Sequence, residues 1–365
     1  MKLKESQEDF MVEEVMDLEV KDEGNYSYFI LEKKNWTSLK ALQYIADQLK
    51  VNVKRFAIAA QKDRQAITTQ YVSAYQVTEK TLEHVRLKDI NIKFLGHGDE
   101  PLRLGQLKGN KFTIVARELK KPLKPFSSVA NYFDDQRFGG YRPNLHIIGK
   151  QVLLGQYEDA VKGFLLYPFP GESEDYKEAR LWMEKNWGNW KVEKYSRHMT
   201  YERKIVGYLK NNPEDFIGSL KQLPRQLFTM ITQAYQSYLF NESLYRYIKR
   251  KYGNEPSYRE YKYTIGKMAF VNVFEDLDWP LVGSESKLDG EIKEIVEALM
   301  KEENIWYETF QCEIPALSSK GITRKAFIQA NHMKVSDFKA GVQEVSFFLP
   351  KGCYATVVMK SISSL

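Results

Sequence analysis

A single carboxylate stands between two cations at Gln61-Lys62-Asp63-Arg64. Nearby positive charge favours the charged form of an acid, which fits Asp63 for nucleophilic or proton-abstracting work. A Lys-Asp-Arg triplet also occurs as a plain polar turn held by surface ion pairs, so the triplet alone leaves both roles open. Other chemistries find less support. Cys312 and Cys353 are the only two cysteines and form no C-x-x-C pair, which argues against a thiolate zinc site and a disulfide framework. His84, His97, His146, His198 and His332 show no H-E-x-x-H or other close ligand spacing, so no metal site is expected. Gly96-His97-Gly98 begins like a dinucleotide fingerprint, but Pro101 stands in place of the third glycine, and no glycine loop continues into G-K-[ST]. No nucleotide cofactor is expected.

The elements that must hold Asp63 can be read from periodicity. Residues 10–15 and 26–32 alternate or cluster apolar and aromatic side chains as strands do. Thr37 can cap a helix whose Leu39, Leu42, Ile45, Ala46 and Leu49 recur at helical spacing. Residues 56–60 run as a strand into the Asp63 turn and residues 66–74 leave it as another, so the acid sits on a connection between two anchored strands. Residues 103–117 read as a basic hairpin turning near Gly109-Asn110. Residues 127–140 read as a helix end followed by an aromatic, glycine-terminated loop, which could stack bases or simply pack in a core. From about 151 to 311 the pattern is mainly helical, with one long amphipathic helix through Leu227, Ile231, Ala234, Tyr238, Leu244 and Ile248, ended by Lys249-Arg250-Lys251 and Gly253. Residues 344–349 and 354–359 read as two closing strands. A sheet domain of residues 1–150 and 312–365, interrupted by a helical domain of 151–311, is the simplest organisation.

The 365 residues exceed a typical single core, and no apolar run is long enough to span a bilayer. The N-terminus lacks the apolar centre of a secretory signal, so a cytoplasmic location is expected; nothing suggests a coiled coil, and a monomer is favoured. The net charge of +6 is unevenly spread. Residues 101–125 carry Arg103, Lys108, Lys111, Arg117, Lys120, Lys121 and Lys124 against Glu118 alone, whereas ten acids face three lysines in residues 272–303. The first stretch could track a phosphate backbone and the second would repel it, or both are merely solvated surfaces.

Five segments, in order, resemble the TruD family of tRNA pseudouridine synthases: residues 3–14, Gln61-Lys62-Asp63-Arg64 with Thr68 and Gln70, residues 102–117, Asn131-Tyr132-Phe133 with Gln136-Arg137-Phe138-Gly139, and residues 348–356. The resemblance implies a pseudouridine synthase fold of α+β class around a mixed, largely antiparallel sheet, with a TruD insertion domain. It implies isomerisation of uridine in tRNA, in this family at uridine-13, with tRNA as partner and neither cofactor nor metal. It makes Asp63 the catalytic aspartate, places Phe10, Asn131 and Tyr354 at the target nucleotide and Phe133 against the active site, and sets Lys4 where its ammonium can reach the aspartate. Lys62 and Arg64 would support the acid electrostatically, and Arg103, Lys108, Lys111 and Arg117 would hold the RNA backbone. Three places depart from the family pattern: Asp134-Asp135 replace a glycine and a small or polar residue, residues 359–362 read Met-Lys-Ser-Ile, and residues 280–283 keep only part of a proline-glycine motif. A catalytically silent tRNA-binding or folding protein would share the basic and aromatic residues. A zinc-dependent base deaminase would need the H-x-E and P-C-x-x-C pattern that is missing.

Overall fold

Alternation in FMVEEV turns residues 10, 12 and 14 inward, and the segment forms strand β1 (Phe10–Val15). The computed structural model describes residues 1–365 other than 127, 141, 170 and 365. β2 (Tyr26–Lys34) leads to helix α1 (Ser38–Leu49), whose first turn is capped by Thr37 accepting the Lys40 N–H as its spacing predicts. β3 (Phe56–Ile58), β4 (Ile67–Tyr75), the short α2 (Glu79–Leu82), β5 (Ile90–Gly98) and β6 (Gly109–Ala116) follow. The chain divides into two compact units, Met1–Val129 with Ile328–Ser363, and Ala130–Phe327. It crosses between them within β7 (Ser128–Ala130) and returns within β12, reached below.

The second unit is mainly helical. Helices α3 (Leu145–Leu153), α4 (Tyr157–Leu166), α5 (Glu174–Lys185), α6 (Thr200–Leu209) and α7 (Phe216–Leu220) precede the long α8 (Arg225–Tyr252). A hairpin of β8 (Arg259–Tyr263) and β9 (Gly266–Phe270) follows, then β10 (Asp278–Leu281), α9 (Gly290–Glu302), β11 (Ile322–Lys325), which pairs with β10, and β12 (Phe327–Gln329). Tyr235 and Leu239 of α8 bury against Val296, Leu299 and Met300 of α9. The acidic stretch is largely spent on this unit's own cations: Glu275 on Lys251, Glu302 on Arg246, Glu303 on Lys150, and Glu291 and Glu294 on Arg250.

The first unit closes with β13 (Asn331–Val335), β14 (Gln343–Pro350) and α10 (Ala355–Ser364). Its eight-stranded sheet has the order β13-β14-β6-β1-β4-β2-β5, with β3 also on β4. The β1–β4 pair is parallel and the other pairs are antiparallel, which makes the sheet mixed and largely antiparallel. Ala41, Leu42, Ile45 and Ala46 of α1 bury with Phe29, Leu31 and Val72. Among the described residues, no helix is long and apolar enough to cross a membrane.

Three local expectations are corrected. Residues 103–117 are a loop entering one central strand, not a hairpin: Gly109 pairs with Val15 and Pro350, and a Cβ there would lie 2.1 Å from the Leu349 carbonyl oxygen. The glycine serves close strand approach rather than a turn. Residues 128–130 form β7 rather than a helix end, with Ser127 outside the described residues, and Asp135–Phe138 coil into a 3-10 turn closed by Gly139 at φ 110°. Residues 355–364 form α10, because buried Ala355, Val358, Met359 and Ile362 recur at helical spacing, which outweighs the strand preference of the valines. The observed units divide at 129/130 and 327/328, against the sequence-based boundaries of 150/151 and 311/312.

Candidate active site

Parallel pairing of β1 with β4 places the starts of both strands at one end of the sheet, and β2, antiparallel to β4, finishes there. The segments that enter β1 and β4 therefore meet. Lys4 Nζ lies 3.1 Å from Asp63 Oδ2 and 4.1 Å from the centre of the Phe10 ring. Phe10 is itself buried, edge-on to Phe112, which packs on Phe347. The Asp63 side chain stays 48% exposed, so a reacting atom can approach it. Lys4 has left-handed backbone, φ 59°, which costs a non-glycine residue about 1–2 kcal/mol. Its neighbours hold it there. Lys2 and Arg117 exchange main-chain hydrogen bonds at 2.8 and 3.0 Å, and Arg117 grips buried Asp9 through Nε at 3.0 Å and Nη2 at 2.8 Å. The Arg117 hydrogen bond holds Asp9 down at about 2, against the opposing effect of burial.

The turn carrying Asp63 is tied from several elements. Ser38 Oγ accepts the Lys62 N–H at 2.9 Å and donates to Gln70 Oε1 at 2.6 Å, and Gln70 Nε2 donates to the Ala60 carbonyl at 3.4 Å. Lys62 and Arg64 do not direct their cations at Asp63, contrary to the simplest form of the sequence expectation. Lys62 Nζ forms a buried ion pair with Glu14 at 2.7 Å and donates to Asn110 Oδ1 at 2.7 Å. Arg64 Nε donates to the carbonyl and side-chain oxygens of Asn35 at 3.3 and 3.0 Å. Adjacent residues on a tight turn face different ways, so chain neighbours of the acid become its scaffold while a lysine 59 positions away becomes its partner.

Asn131 and Phe133 belong to the second unit. Asn131 is buried, its Nδ2 donating to the Lys325 carbonyl at 2.9 Å and its Oδ1 accepting from Arg324 Nη2 at 2.5 Å. The Arg324 guanidinium lies 4.1 Å from the centre of the Phe133 ring, which also packs edge-on against Phe240. Asn241 receives the Phe133 N–H and donates to the Phe133 carbonyl, both at 2.8 Å. In the sheet unit, partly exposed Tyr354 immediately precedes α10, its carbonyl accepting from Val357 and Val358. A profile of the family described as tRNA pseudouridine synthase D (TruD) matches residues 1–259 and 273–362.

The chain belongs to the TruD family. It is 33% identical to a Methanopyrus kandleri protein named as a probable tRNA pseudouridine synthase D, over 93% of this chain and 86% of that one. It is 30% identical to the tRNA pseudouridine synthase D of Aquifex aeolicus, over 99% and 98%. The crystal structure of a Methanosarcina mazei protein assigned to TruD superposes with a TM-score of 0.77 at 28% identity, covering all of this chain and 93% of the other.

Most cations marked for RNA in this TruD protein have acidic neighbours. Arg103 pairs with Glu100 at 2.6 Å, Lys108 with Asp17, and Lys111 with Glu13 at 3.6 Å. Exposed pairs of this kind are worth less than about 1 kcal/mol, so the acids hold these three cations only weakly. Arg117 is committed to Asp9 and the N-terminal segment. Sequence reasoning missed three residues: Glu14, Lys33 and Arg324. The first two had a signal, since each is a charged residue at an inward position of an alternating strand; Arg324 had none.

Proposed function

We propose that this protein converts uridine-13 of tRNA to pseudouridine with Asp63 as the acting carboxylate and no cofactor. Family membership makes it a tRNA pseudouridine synthase, an isomerase; the position in the tRNA and the role of the acid are the proposal. The observation that carries it is the exposed Asp63 carboxylate held by Lys4 on a turn fixed from β1, β2, α1 and β4. The isomerisation breaks the bond from N1 to C1′, turns the base while it stays trapped, and joins C5 to C1′. No atom enters or leaves. What the protein must supply is a placed carboxylate, to attack the nucleotide or take a proton from its sugar, and a pocket for a uridine drawn out of its stack.

Tyr354 in the sheet unit, which we take as the catalytic unit, would face the extruded nucleotide, while buried Phe10 supports Lys4 from below. Asn131 and Phe133 lie in the second unit, which holds the TruD insertion, each engaged by partners of that same unit. With its amide engaged by Arg324 and Lys325, Asn131 would meet a uracil edge only by exchanging one of those bonds. The test is incubation of the purified protein with unmodified tRNA and assay for pseudouridine. Conversion of a tRNA with uridine at position 13, and none when that position is cytidine, is expected. Conversion that survives Asp63→Asn would refute the role given to the acid. Tight binding of tRNA without any modification would instead identify a silent binder.

A further inference from the structure

Lys33 ends the inward row of β2 after Phe29 and Leu31, and it is only 1% exposed. Removing an ammonium from water costs several kcal/mol unless its protons find acceptors. Here Nζ reaches three carbonyl oxygens, those of Trp36 at 2.6 Å, Asp63 at 2.9 Å and Lys62 at 3.4 Å. An ammonium has three donors and a neutral amine two, so the charged form matches this cage. Burial pushes Lys33 down to about 8, against a raising effect of Asp63 and with a further lowering by Lys62.

Two of the three acceptors are the peptide carbonyls on either side of the Asp63 α-carbon. A core position with no further role would take an apolar side chain at lower cost, as Phe29 and Leu31 do on the same face. We propose that Lys33 is a positioning residue, whose ammonium fixes the main chain of the Lys62-Asp63 turn and so presents the Asp63 carboxylate in one orientation. This inference rests on Asp63 being the acting carboxylate.

Lys33→Met keeps the length and removes charge and donors. Its kcat for pseudouridine formation is expected to fall about tenfold or more, with KM and tRNA affinity within about twofold of wild type, because misplacement of the acid affects the reacting geometry rather than ground-state binding. Amide hydrogen exchange over residues 60–66 is expected to quicken while the circular dichroism spectrum is unchanged. If Lys33→Met does not fold, Lys33→Leu, which also lacks donors and matches Leu31 on the same face, is judged by the same criteria. A kcat within about twofold of wild type, with unaltered exchange at residues 60–66 and an inactive Asp63→Asn, would overturn the clamp and leave the isomerase intact. Should wild type itself leave every tRNA unmodified, the proposed function fails, and the exchange measurement alone decides whether Lys33 holds the turn.

Discussion

Asp63 is supported by a residue far away in the chain rather than by its own neighbours. Lys4 bridges the Asp63 carboxylate and the Phe10 ring from a strained backbone. Strain of this kind persists at functional sites when the surroundings over-determine it. Lys4→Met should therefore lower kcat by about tenfold to a hundredfold, with folding unchanged, since the loss falls on the orientation of one carboxylate; single-turnover kinetics checks this. Asp9 lies one step further out. Asp9→Asn leaves Arg117 without its buried partner and should cost about 2 kcal/mol in urea unfolding. Asp9 is depressed from 3.8 to about 2 in the folded protein. Its stabilisation is therefore complete above 3.8 and lost as pH falls through about 2. The stability difference between wild type and Asp9→Asn should narrow over that window, and an unchanged difference would reject the ion pair as its source.

At the scale of elements, the single parallel pair in the sheet decides where Lys4 and Asp63 meet. Were β1 antiparallel to β4, Lys4 and Asp63 would lie at opposite ends of the strands. The sheet depends on close packing of β6 against its neighbours, and a Cβ at Gly109 would lie 2.1 Å from the Leu349 carbonyl oxygen. Gly109→Ala should destabilise the protein by about 1–3 kcal/mol, measured by the shift of the urea midpoint at constant slope, and it should leave no stable alternative pairing of β6. Elements set by strong local patterns were legible in the sequence: β1, β2, β4, α1 and α8 fall where periodicity placed them. Those that failed, at residues 103–117 and 354–359, combine turn-forming or β-branched residues with a context that overrides local preference.

For the whole molecule, charge separates into two uses. In the second unit the acids between 272 and 303 largely neutralise that unit's own cations, so they do not form the repelling face their count suggested. In the first unit Arg103, Lys108 and Lys111 stay exposed beside weak partners, and exposed Lys120, Lys121 and Lys124 follow them along the chain. Replacing Lys120, Lys121 and Lys124 together by alanine should weaken tRNA binding and flatten its logarithmic salt dependence by about 2–3. An unchanged slope in filter-binding titrations would remove them from the RNA contact. The sequence by itself determined the family, the mixed fold interrupted by a helical segment, and Asp63 as the acid to examine, because ordered motifs and periodicity are written along the chain. Only the tertiary structure decided that Lys4 meets Asp63, that Lys62 pairs with Glu14 and Arg64 with Asn35, that Arg117 anchors Asp9, and that buried Lys33 reaches the main chain of the turn. Those partners are 29 to 108 residues apart, and strand pairing, not sequence proximity, brings them within hydrogen-bonding distance.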